Sequence, residues 1–82
     1  MKPSVGRSVH YQSYGTPGGE YLPEPRAATI TEVKQVQLNP GDEELTEVVG
    51  LAVLNPSGLF FDHNVKFAEV PTPGHWNWPP KV

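Results

Sequence analysis

The chain has 82 residues, among them ten prolines, eight glycines and no cysteine, and it carries a formal net charge of -3. That length leaves room for one domain over 1–82, too small to bury a deep core, and the missing cysteines exclude disulfides and thiolate zinc sites. The six basic residues are scattered with no two adjacent, which argues against nucleic acid as a partner, because a phosphate backbone is held by clustered positive charge.

Residues 5–14 (VGRSVHYQSY) alternate apolar and polar positions, with Val9 and Tyr11 on the inward side of a predicted strand. Residues 14–25 (YGTPGGEYLPEP) hold three prolines and three glycines. Proline removes ladder donors, so this stretch is expected to be a long loop. Residues 26–36 (RAATITEVKQV) are rich in β-branched side chains and predict a second strand. Asn39-Pro40-Gly41-Asp42 has proline and glycine where a type II turn wants them. The acidic residues Asp42, Glu43 and Glu44 could start one helical turn, but three residues are too few to nucleate a helix unaided, so a solvated tip is the favoured reading.

Residues 46–54 (TEVVGLAVL) are apolar on both faces from Val48 onward. That pattern predicts a strand buried on both sides, or one whose second face is covered by another subunit, so a homodimer is possible. Gly50 is expected at a bulge or a close backbone approach. Asn55-Pro56-Ser57-Gly58 has the chemistry of a type I turn, and Leu59-Phe60-Phe61-Asp62 returns as its partner strand. His63-Asn64 breaks the pattern, and residues 65–70 (VKFAEV) predict another short strand. After the loop at Pro71-Thr72-Pro73-Gly74, Trp76 and Trp78 share one face of an extended segment that Pro79-Pro80 ends. Flexible ends are expected at about 1–4 and 79–82.

Five or six short strands with a long first loop and a late tight hairpin predict an all-β fold, a small SH3-like barrel; an OB-like barrel is the alternative, which a chain with no internal helix pattern suits less well. Phe60, Phe61 and Phe67 are expected in its core. The longest apolar run is far short of the ~20 residues that span a bilayer. The N-terminus carries no apolar stretch of the signal-peptide kind, so a soluble, cytoplasmic protein is expected.

The segments VHYQSYGTPGGE, RAATITEV, GLAVLNPSGLFF and HWNWP together resemble a family of small uncharacterised proteins of actinobacteria and their bacteriophages. The resemblance spans most of the chain, and residues 34–46 match it least. It carries no activity. For a phage-encoded chain it implies an accessory role in the host cytoplasm, modulating a host protein or countering a host defence.

No motif points to catalysis. Ser8, Ser13 and Ser57 lie in no nucleophile-elbow pattern, and the carboxylates have no informative spacing. His10, His63 and His75 are too far apart for a local metal motif, so neither metal nor other cofactor is expected. Gly18 and Gly19 lie in a glycine-rich loop without the P-loop pattern, but paired glycines permit close backbone approach to a ligand. The aromatics are the strongest lead, because tyrosine and tryptophan bury large areas at low entropic cost. Tyr11, Tyr14 and Tyr21 flank the long loop and Trp76 and Trp78 lie near the C-terminus; closure of a barrel would gather them. The expected function is therefore a non-enzymatic module that contacts a protein, a host protein for a phage-encoded chain. The alternative is a binder or sponge for a nucleotide-type signal, held by stacking rings and the glycine loop.

Overall fold

A computed structural model of the protein describes residues 2–14, 24–56 and 58–80. It contains five strands and, among the described residues, no helix: β1 (Ser8–Gln12), β2 (Pro25–Val36), β3 (Thr46–Asn55), β4 (Gly58–Val65) and β5 (Trp76–Asn77). They form one antiparallel sheet in the order β4-β3-β2-β1-β5.

Local chemistry accounts for the joints. The Asn39–Asp42 turn forms with Gly41 at φ 90° and the Asp42 amide donating to the Asn39 carbonyl at 3.2 Å. Only glycine takes that φ without strain, which makes it a type II turn. The acidic residues after it stay exposed and form no helix. β3 and β4 make the expected hairpin, with Asn55 opposite Gly58; Ser57 and the turn's geometry lie outside the described residues. A second turn closes at Thr72–His75, where Gly74 has φ 79° and the His75 amide donates to the Thr72 carbonyl at 3.0 Å.

Gly50 is the pivot of the sheet. β3 runs regularly through it, while each neighbouring strand carries additional residues opposite it. The register slips between Ile30 and Glu32 on β2, and between Val49 and Leu51 as β3 pairs with β4. A Cβ at Gly50 would stand 2.8 Å from Glu32 Cγ and 2.9 Å from Thr31 Oγ1, so a larger residue must push the bulge apart. The slip on β4 also corrects an expectation. His63 and Asn64 do not end the strand: Asn64 adopts φ 59°, which asparagine tolerates, and β4 continues to Val65. Beyond it no separate strand forms over 65–70, only a bridge at Phe67.

Most of the core lies on one face, although Val48, on the other face of β3, is fully buried too. Val9, Tyr11, Ala28, Ile30, Val49, Leu51, Val53, Val65 and Trp76 form a buried cluster, with Val33 and Trp78 packed against it. The sheet curls around these side chains. Tyr11 on β1 meets Phe60 on β4 with ring centroids 5.9 Å apart, whereas three strand spacings in a flat sheet would separate them by about 14 Å. The core face is therefore concave.

The expected barrel is not closed. β5 has two residues, and its outer side meets the chain beyond β4 at a single parallel bridge, Phe67 to Trp76. Two backbone bonds make it, from the Ala68 amide to the Trp76 carbonyl and from the Trp76 amide to the Lys66 carbonyl, both 3.0 Å. Prolines 71, 73, 79 and 80 crowd this corner, and a residue without an N–H cannot extend a ladder.

Candidate functional site

The sequence directs attention to the aromatic residues, and the fold divides them. Tyr11 and Trp76 face each other in the β1–β5 register and are both buried. Both therefore serve mainly as core, although Trp76 also lines a hollow at the end of the sheet. Tyr11 is a strut: its hydroxyl donates to the Asp62 carboxylate, tying β1 to β4 across the concave face. Its phenol is pushed up to about 12, first by burial and then by Asp62. A phenol so raised stays protonated at neutral pH, which suits a hydrogen-bond donor and not a base.

Tyr14 is 70% exposed. It leaves the end of β1 and lies over the Thr72–His75 turn, where a Cβ at Gly74 would fall on its hydroxyl. The Gly74 amide donates to the Gln12 carbonyl at 2.9 Å, so the turn is fastened to β1 directly beneath this ring. Trp78 is half-buried at the opposite end of β1. Its ring stands edge-on to Trp76 at 5.1 Å, with the Arg7 guanidinium 5.5 Å above it. The fold thus joins Tyr11, Trp76 and Trp78 and leaves Tyr14 apart from Trp78. Gly18, Gly19 and Tyr21 lie outside the described residues.

Two surfaces escape the sequence reading. The first is the convex face of β3 and β4. Register rows place Ala27, Leu54 and Leu59 side by side, and Thr29, Ala52 and Phe61 beside them. Leu54 is 52% exposed, Leu59 55% and Phe61 62%. Phe61 therefore lies outside the core, because β4 is an edge strand and its odd-numbered residues from Leu59 to Phe61 point away from the concave side. Phe60 points to the concave side but stands at its rim, and Phe67 is 46% exposed beyond the strand's end. The signal available in the sequence was the alternation itself: once β4 is the edge, every second residue of Leu59-Phe60-Phe61 must face out.

The second is a hollow of about 120 Å³ lined by Pro3, Glu47, Phe67, Trp76 and Trp78. Phe67 stands against Trp76 at 4.9 Å with the planes inclined by 63°, so the Trp76 ring is met edge-on by both Phe67 and Trp78 at this corner. A broader depression at the Gly41–Thr46 tip is polar and wide open.

Polar side chains elsewhere are used structurally. The Gln12 side-chain amide donates to Asn77 Oδ1 at 2.7 Å, a buried pair on the face opposite the core. Arg26 is buried and bonds Glu24 at 2.7 Å. His63 Nδ1 lies 3.6 Å from Glu32, His75 Nδ1 is 3.1 Å from the Pro73 carbonyl, and His10 pairs with Ala27 and Asn77. Among the described residues no three histidine or carboxylate side chains are placed to share a metal ion. Also among them, no helix is long and apolar enough to cross a membrane.

Compared with models of protein families, with curated proteins and with solved structures, the chain matches none of them.

Proposed function

We propose that this protein is a non-enzymatic binding module that docks a protein partner on the convex β3–β4 side of its sheet. One observation carries the reading: Leu54 on β3 stands exposed beside Leu59 and Phe61 on the edge strand β4, which has no charge from Gly58 to Phe61. Edge strands in soluble proteins are ordinarily blunted by lysine, proline or an early bulge, since their free backbone groups invite another strand. Here the bulge comes only at His63 and Asn64, after the apolar stretch. Contiguous exposed apolar side chains mark interaction surfaces, and an edge strand adds backbone hydrogen bonds to the contact. For a phage-encoded chain, the resemblance to phage and actinobacterial proteins implies that the partner is a host protein met in the cytoplasm. The return of the last strand to the side of the first supports an SH3-like relationship, with closure incomplete.

The test is native mass spectrometry of tagged protein purified gently from its host, as wild type and as Phe61→Asp. The reading expects a discrete protein on the wild type that is lost from a variant with unchanged melting temperature. A bound protein that persists on Phe61→Asp but leaves Tyr14→Ala would move the surface to the first loop. A homodimer split by Phe61→Asp would make the partner a second copy. A bound small molecule would favour the ligand reading.

A further inference from the structure

We infer that the corner between Phe67, Trp76 and Trp78 is a binding site for a quaternary alkylammonium group. The site is independent of the convex surface, since Phe67, Trp76 and Glu47 belong to the concave side and its open end.

Three features select this chemistry. The first is the wall. Trp76 is buried and forms the floor, Trp78 is half-buried on one side of it, and Phe67 is 46% exposed on the other. Ring faces carry the negative part of the aromatic quadrupole and attract a cation with an apolar skirt, and these three side chains line one hollow. Arg7 shows the preference within the chain: its guanidinium stacks over Trp78 at 5.5 Å, and it does not line the hollow.

The second is charge. Glu47, which shares a strand face with Val49 and Leu51, brings a carboxylate to the rim and is exposed. Its Oε2 accepts a bond from Gln35 Nε2 at 3.4 Å, which leaves the other oxygen for a cation. Among the described residues no basic side chain lines the hollow, so an anion would meet there only the carboxylate and the rings.

The third is size. About 120 Å³ admits a methylated ammonium head but lies well below the ~300–1,000 Å³ of pockets that enclose larger ligands. A nucleotide does not fit here. An unmethylated ammonium keeps its hydration shell and gains little from ring faces. A quaternary one has no N–H to hydrate and presents methyl groups to the walls.

The head group has two sources, a free choline-like molecule or a trimethylated lysine side chain on a peptide, and the probes separate them. The experiment titrates the wild-type protein with tetramethylammonium, then with choline and a trimethyllysine peptide. Tryptophan fluorescence and amide chemical shifts are followed at constant ionic strength. Saturable binding in the low-millimolar range is expected, with shifts concentrated at Phe67, Trp76 and Trp78. A peptide that binds at least tenfold more tightly than choline assigns the side-chain source; equal binding assigns the free one. Glu47→Gln and Phe67→Leu, both exposed positions, are expected to weaken tetramethylammonium several-fold without changing the melting temperature. The neutral isostere 3,3-dimethylbutan-1-ol distinguishes a cation site from a merely apolar dent. Binding of that alcohol as tightly as choline, or no saturable change with any of the ammonium probes, would overturn the proposal.

Discussion

Leu51 and Leu54 sit three residues apart on β3. The first is wholly buried and the second is 52% exposed. Between them runs the division between the concave face, which holds most of the core, and the part of the convex face where Leu54, Leu59 and Phe61 stand exposed. Leu51 lies between Ile30 and Asp62 in the register, under the curl that brings Tyr11 to Phe60. Leu54 lies between Ala27 and Leu59 on the outside of that curl, where nothing among the described residues covers it. Identical side chains thus serve opposite ends because strand alternation assigns them to different faces. The lesson is that apolar content on β3 measures two functions, and only one of them is stability.

The sharpest way to break this contrast is a charge on each face. Leu51→Asp places a carboxylate in the core, at a cost that exceeds the roughly 5 kcal/mol margin of a domain this small. It is expected to unfold the protein, and circular dichroism at 20 °C would show it. Leu54→Asp is expected to keep the fold, with stability within about 0.5 kcal/mol of wild type. A fold that survives Leu51→Asp would mean the concave face is not the core.

Gly50→Ala tests the pivot between the faces. The methyl group must displace Glu32 and Thr31, so a loss of about 1–3 kcal/mol is expected, read as a lower urea midpoint. Tyr11→Phe tests the strut across the concave side and is expected to cost about 1 kcal/mol. Its pH signature is more specific. The folded phenol titrates near 12 instead of the ordinary 10.0. The unfolded chain therefore loses this proton first, and the stabilisation present below pH 10 declines as pH rises toward 12. Denaturation across that window should be less steep in Tyr11→Phe than in wild type. The smallest effect is expected for Phe61→Asp, whose melting temperature should stay within a degree or two of wild type. Its partner binding, by the proposed function, should not survive.

Much of this was legible without coordinates. The Asn39–Asp42 turn, the Asn55–Gly58 hairpin and the irregularity at Gly50 each follow from residues adjacent in the chain. The site was less legible. Tyr11 and Trp76 have the composition of a binding surface and turn out to anchor the core, while Phe61, expected inside, faces out. Aromatic type does not encode burial, and the two roles exchange according to which strand lies at the edge. The hollow joins Pro3, Glu47, Phe67 and Trp78 from four separate stretches, so no local motif announced it.

What the sequence determined by itself is the set of elements and their joints. Proline and glycine restrict φ within a residue or two, and alternation sorts side chains along one strand, so both are readable locally. What only the tertiary structure decided is the neighbour relations. Whether β4 is an edge, whether β5 closes the sheet and how far the sheet curls depend on contacts between residues as distant as Gln12 and Asn77. Those relations set which apolar residues are core and which remain at the surface, because burial is a property of what lies opposite a side chain and not of the side chain alone.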